Sequence, residues 1–463
     1  MAQTQARRPG VNVFDQSRPM WKTMVVFLIP LMLSNVLQSA SGTLGNIFLG
    51  RMIGVEALAA ASSIFPVVFL LISFLIGIAS GSTVLIGQAF GARDEHRVKK
   101  VAGTVTGATF ALGILVAIVG TACSPALLAA LGTPHNILAD ADAYARVVFL
   151  SCPIFFPYLA YTTFLRGTGD STTPFYFLIV STVISIAITP VLIAGWFGLP
   201  KLGILGAPIA GLWISQTVAF AALLITLARM NHPLKFDRET ARDMLVDWKV
   251  LWQVVRIGVP TGLQVMMVAI AEIAIIDFVN RYGSSATAAY GAVNQVIGYV
   301  QFPAISIGIG ASIFGAQCIG AKREDLLNAV IRSAIALNYL IGGAIILVCY
   351  LCAWFILGWF ITDVHTLDIA HILLMITLWS YLLFGNSSVL SGVMRSSGTV
   401  LWPTVNGIFA IVAVEVPAAY ILMHYYGLNG VWMGYPISYV VVLLLQYRYY
   451  TLYWKKRTHE RLV

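Results

Sequence analysis

Twelve apolar runs, each long enough to cross a hydrocarbon layer as a helix, follow one another along this 463-residue chain. They fall near residues 23–48, 57–86, 102–128, 147–165, 174–198, 203–228, 252–280, 286–316, 327–357, 369–394, 402–424 and 429–453. About 20 apolar residues at 1.5 Å rise span a bilayer core. Lipid offers no partner for a bare N–H or C=O, so runs of this length must be helical, whereas a barrel would show short alternating segments. Only 10% of the residues are charged, against about 25% in soluble domains. The fold class is therefore an all-α integral membrane protein of twelve transmembrane helices, multi-pass in a cell membrane (the inner membrane if the source is bacterial).

Charge placement orients the bundle. With twelve spans, the N-terminal stretch, the even-numbered loops and the C-terminal stretch share one side, and they carry 24 of the 28 Lys and Arg residues. Only Arg51, Arg146, Lys201 and Arg281 fall opposite. The positive-inside rule puts both termini in the cytoplasm. The net charge of +9 is thus an orientation signal, spread over seven separate segments, and a nucleic-acid partner is not expected. Residues 1–22 read as a retained cytoplasmic tail, because the first apolar run is too long for a signal-peptide core and no small-residue cleavage site follows it. Five cysteines without metal-ligand spacing suggest neither a disulfide framework nor a zinc site; small core residues are the expected role.

Sliding the chain against itself by about 229 residues brings its halves into register. Pro30 meets Pro260, Gln88 meets Gln317, Gly91-Ala92 meets Gly320-Ala321, Arg166 meets Arg395, Gly169 meets Gly398 and Pro174 meets Pro403. The division expected is a six-helix lobe over 23–230, a hydrophilic cytoplasmic linker over 231–250, a second six-helix lobe over 251–454 and a tail over 455–463. An even number of helices per lobe makes the repeats parallel, a design that suits alternating access. Pro30, Pro66, Pro190, Pro260, Pro303 and Pro417 can bend their spans, and the string Gly77, Gly81, Gly87, Gly91 permits close approach of a neighbour.

Few acids lie deep in the spans. Glu272 and Asp277 sit in the seventh and Glu415 in the eleventh. A carboxylate at mid-membrane costs about 2.5–3.5 kcal/mol on insertion scales. Neutralisation by H+, Na+ or a cationic solute relieves that cost, and this is the chemistry an exchanger needs. Glu272 ranks first as the coupling-ion group. Asp277 precedes Arg281 by four residues and reads first as half of an interfacial ion pair, with coupling-ion binding its second reading. Glu415, two residues before Pro417, either joins Glu272 or pairs with a neighbour. Asn35, Gln38, Gln264, Asn294, Tyr290 and Asn386 are the candidates for lining a substrate cavity, although such amides commonly glue helices together. No metal site is expected beyond a possible Na+ at Glu272, and no cofactor other than the coupling ion.

Particular stretches carry a resemblance. Asn46-Ile47-Phe48-Leu49-Gly50-Arg51 before Gly54-Val55-Glu56-Ala57-Leu58-Ala59-Ala60, then Gly87-Gln88-Ala89-Phe90-Gly91-Ala92-Arg93, the loop from Leu165 to Pro174, and Leu202 to Pro208 resemble the multidrug and toxic compound extrusion (MATE) family. The likeness runs from about Trp21 to Trp454. It implies two six-helix lobes and a secondary antiporter that exports small organic, cationic or amphipathic compounds by alternating access as H+ or Na+ enters. Membrane lipids and the substrate are the implied partners, with the chain acting as a monomer.

The chain departs from the family pattern in four places. The acid common in the seventh span falls at Val268, one turn before Glu272; the first-span aspartate is Gly45; the fifth-span Asn/Asp pair is Ser181 and Ser185; and in the tenth span, where some relatives have an acid, the nearest polar residue is Asn386. Ion coupling is therefore expected in the second lobe. A flippase for a lipid-linked precursor would want basic residues at mid-span, and a polytopic enzyme would want clustered His or paired acids. This sequence shows neither, so both remain lesser alternatives and no enzyme activity is expected.

Overall fold

A computed structural model describes residues 11, 13–15 and 17–462, all in helices and their connections, with no strand among the described residues. Twelve helices are long and apolar enough to span a membrane: α1 (Met20–Met52), α2 (Phe65–Gly91), α3 (Glu95–Ala130), α4 (Leu138–Gly167), α5 (Thr172–Ala194), α6 (Gly203–Arg229), α7 (Trp248–Asn280), α8 (Ser284–Gly320), α9 (Glu324–Leu351), α10 (Val364–Ser396), α11 (Leu401–Tyr426) and α12 (Leu428–Lys456). Each overlaps one of the apolar runs. Residues 1–10 lie outside the described part, so the expectation of a cytoplasmic tail there has no structural counterpart.

Two of the runs are differently built than expected. The run at 57–86 is a nine-residue helix, Val55–Ser63, followed by α2. Pro66 stands in the first turn of α2, where its missing N–H costs nothing, so it starts a helix instead of bending one. The run at 327–357 likewise ends at Leu351, and a separate short helix, Ala353–Gly358, follows. Pro30, Pro190, Pro260 and Pro303 do lie inside their helices.

The chain forms two compact units. The first comprises residues 29–258 with Val11, and the second comprises 259–462 with residues 13–28. Both α1 and α7 run unbroken from one unit into the other, and Pro30 and Pro260 stand two residues beyond each change. The compact units thus trade the opening turns of their first helices relative to the covalent halves. In the first unit those turns belong to α7 and pack on α2 so closely that a Cβ on Gly81 would lie 2.3 Å from the Val254 carbonyl oxygen. A Cβ on Gly258 would come within 2.5 Å of the Gly77 carbonyl oxygen, so glycine alone fits this crossing. In the second unit they belong to α1, whose Met24, Phe27 and Leu28 are fully buried. The Phe27 ring lies 5.3 Å from that of Phe314 on α8.

Three helices contain a π-helical turn: α6 over Ile209–Ile214, α9 over Asn338–Gly342 and α11 over Ala410–Glu415. In α11 the cause is local. Pro417 lacks an N–H and its ring would press on the Ala413 carbonyl one turn back, and an inserted residue absorbs that conflict. Cys152, Cys318 and Cys349 are buried as expected, but Cys123 and Cys352 are exposed on the helical surface.

Candidate functional site

In the second unit, a polar cluster is set into the apolar core that α7, α8, α10, α11 and α12 build together. Glu272 comes from α7, twelve residues past Pro260. Its neighbours on that helix alternate between lipid-like exposure at Ile273 and full burial at Ile275, so the glutamate faces partly inward, half-buried. Tyr290 of α8 donates its hydroxyl to Glu272 Oε2 in a short hydrogen bond. Tyr435 of α12 donates to the same oxygen at 3.0 Å. The two phenol oxygens are themselves 3.0 Å apart, closing a triangle around Oε2.

The tyrosines are held rigidly. Tyr290 stacks on Trp432 with ring centroids 5.7 Å apart and planes 7° from parallel, and Trp432 is wholly buried. Trp432 and Tyr435 are three residues apart on one face of α12, so one helix supplies both the platform and the second hydroxyl. Asn294, one turn beyond Tyr290 on α8, lies within hydrogen-bonding reach of the Tyr290 hydroxyl. Oε1 of Glu272 makes no hydrogen bond among the described residues.

Glu415 is the second acid of this region. It is 5% exposed, at the end of the π-helical turn of α11, beside Ser438 and close enough to Glu272 for their charges to repel. Tyr381 and Tyr439, whose rings lie 5.2 Å apart, wall the same region. Two acids buried near one another in an apolar core cannot both carry charge cheaply.

The other candidates are placed elsewhere. Asp277 forms an exposed ion pair with Arg281 at 2.9 Å, the pairing that its spacing allows, and stays out of the tyrosine cluster. Asn386 belongs to a separate buried set: Asn338 Nδ2 donates to Asn386 Oδ1 at 3.0 Å and to the Leu382 carbonyl at 2.9 Å, while Asn386 Nδ2 donates to the Tyr339 hydroxyl at 2.8 Å. That arrangement ties α9 to α10 at the π-helical turn. Gln264 packs its amide against Gly407 of α11. Asn35 and Gln38 lie on the part of α1 that belongs to the first unit, half-buried and exposed respectively. Sequence reasoning found Glu272, Tyr290, Asn294 and Glu415 but missed Tyr435 and Trp432. The signal for these was present as Trp432, Tyr435 and Tyr439 at helical spacing in α12.

Comparison with known proteins bears on this arrangement. The MatE family pattern matches residues 30–191 and again 260–421, two copies 230 residues apart that reproduce the internal repeat. The chain is 54% identical to the probable multidrug resistance protein YoeA of Bacillus subtilis over 99% of each chain. It is 26% identical to the multidrug export protein MepA of Staphylococcus aureus over 90% of each. Among solved structures, a mutant of the Vibrio cholerae MATE transporter VcmN superposes with a TM-score of 0.84 at 19% identity, covering 94% of this chain and 97% of that one. A MOP-superfamily transporter from Pyrococcus furiosus superposes at 0.83 with 22% identity, covering 93% and 95%. At those identities the structures speak for the fold alone.

Proposed function

The chain belongs to the MatE family of multidrug efflux transporters, and from that premise we propose that it is a secondary antiporter expelling small organic, cationic or amphipathic compounds in exchange for H+ or Na+. The observation that carries this reading is the Glu272 carboxylate, set at mid-helix in α7 and bonded by two tyrosine hydroxyls.

A charge at that depth costs about 2.5–3.5 kcal/mol. A hydrogen bond to a charged group returns about 1.5–3 kcal/mol. Two of them roughly offset the cost of holding a carboxylate there. A carboxylate so held can be neutralised by a proton, a sodium ion or a cationic solute, and occupation by one disfavours the others. Oε1 is the atom left open for the incoming ion, because Oε2 already accepts from both tyrosines. For Na+, the hydroxyl and amide oxygens of Tyr290, Tyr435 and Asn294 are the hard ligands at hand. Glu415 is the second titratable station in the same core. The first unit holds Gly45, Ser181 and Ser185 where an acid or amide would be needed, so coupling belongs to the second.

Inward movement of one positive charge yields about 2.3 kcal/mol per 100 mV, to which its concentration gradient adds. The two MatE repeats are the parallel units that would rock to expose the site to each side in turn. The test is efflux of a dye cation from proteoliposomes after an imposed pH jump or Na+ jump. One of the two is expected to drive efflux in the wild type and to fail in Glu272→Gln. Equal efflux by both proteins would remove Glu272 from the mechanism.

A further inference from the structure

The segment joining α6 to α7 sorts its charges by direction. Asp237 and Glu239 both bind the Lys99 ammonium on α3, at 2.7 and 2.8 Å, and Glu239 also meets His96 at 2.8 Å. Asp247 pairs with Lys100 at 2.7 Å. Asp243 is pressed against Gly103 of the same helix. The acids of the segment are thus turned onto α3. Its bases are not: Arg238, Arg242, Lys249 and Arg256 are exposed and make no ion pair among the described residues. A stretch of nearly balanced composition becomes a face of one sign.

The first turns of α7 continue that face. Val250, Val254 and Ile257, spaced at one helical turn, are buried, and Val254 abuts Gly81 of α2. The opposite side shows Trp248 at 77% and Trp252 at 66% exposure, one turn apart, with Lys249 and Arg256 flanking them and Leu245 exposed at 82% just before. Large indoles left outside a packed core, alternating with cations at the end of a membrane helix, match the chemistry of the headgroup layer. The rings lie among glycerol and acyl carbons, and the cations meet phosphate. Arginine adds bidentate geometry for a phosphodiester.

We propose that this face, formed by Arg242, Leu245, Trp248, Lys249, Trp252 and Arg256, is a docking surface for anionic phospholipid headgroups in the adjacent leaflet. The acid pairs on α3 hold it in place. The surface is independent of the ion that drives transport.

Native mass spectrometry of the full chain, exchanged into mixed phosphatidylglycerol and phosphatidylcholine, tests this. The wild type is expected to retain phosphatidylglycerol preferentially. Each basic residue near an anionic surface contributes roughly a fivefold preference, so Arg242→Gln/Lys249→Gln/Arg256→Gln should lower the preference at least tenfold. Lys455→Gln/Lys456→Gln/Arg457→Gln, beside the buried Trp454 and so without an adjoining exposed indole, should lower it less. An equal loss in both variants, no loss in the first, or a wild-type dimer that the first variant dissolves would each overturn the proposal, the last by assigning the face to a second copy. A readout free of charge variants is quenching of tryptophan fluorescence by dibrominated lipid. Dibrominated phosphatidylglycerol should quench more than dibrominated phosphatidylcholine, and Trp248→Phe/Trp252→Phe should abolish the excess. Absence of any excess in the wild type also overturns it.

Discussion

Tyr435→Phe removes one hydroxyl and keeps the ring that completes the α12 face, so it deletes the 3.0 Å hydrogen bond to Glu272 Oε2 together with the contact to the Tyr290 hydroxyl. A hydrogen bond to a charged acceptor is worth about 1.5–3 kcal/mol. At 1.36 kcal/mol per tenfold change, its loss should slow coupled efflux by about ten- to a hundredfold. The assay is initial-rate dye efflux from proteoliposomes at constant ion gradient, with Tyr290→Phe in parallel. The two hydroxyls also contact each other at 3.0 Å, so the double variant should lose less than the sum of the two single losses. Identical rates for wild type and both single variants would refute the reasoning.

Other consequences can be checked alongside. Glu415→Gln should reduce coupled efflux while leaving dye binding by the purified protein within about threefold, because Glu415 acts as a neighbouring charge in the same core. Burial holds the His232 imidazole down to about 4, against the opposing pull of Asp170. A depressed histidine weakens the fold as pH falls through the unfolded value near 6.5 toward 4, by up to about 3 kcal/mol, and His232→Gln should flatten the thermal-stability profile in that window. Burial would raise the Asp237 carboxyl, but hydrogen bonds from Lys99 and Thr240 overcome it and hold it at about 2. Its stabilisation should persist above pH 4 and fade between about 4 and 2, and Lys99→Met should destabilise the first unit by about 1 kcal/mol in melts near neutral pH. Gly81→Val should lower the melting temperature and abolish activity, since its Cβ would sit 2.3 Å from a backbone oxygen.

The twelve spans were legible because a span needs only length and apolarity, and each run met both conditions. Their internal breaks were not. Whether Pro66 kinks a helix or begins one depends on the backbone before it, and the π-helical turn at Ala410–Glu415 is a response to Pro417 within a packed bundle. Glu272 stood out because an acid is costly at that depth, an argument that needs no partner. Its partners come from α8 and α12, 18 and 163 residues further along the chain. Tyr290 reads from the sequence as a candidate for lining the cavity, and the structure has its hydroxyl donating to the Glu272 carboxylate. Tyr435 was lost among 19 tyrosines, since nothing local distinguishes a tyrosine that bonds an acid from one at the headgroup belt. The exchange of opening turns at Leu28 and Gly258 was likewise hidden. The repeat aligns Pro30 with Pro260 and so marks both points, but tertiary packing decides which unit each turn joins.

Proton release on ligand binding tests the central claim most directly. Purified protein in weakly buffered detergent solution is mixed with a lipophilic dye cation such as ethidium while a pH indicator is followed, with displacement of radioactive Na+ measured in parallel. If Glu272 holds ion and solute in exclusive turns, the wild type should release up to one ion per dye bound, and Glu272→Gln should bind dye and release none. Ion release by Glu272→Gln equal to that of the wild type would contradict the account.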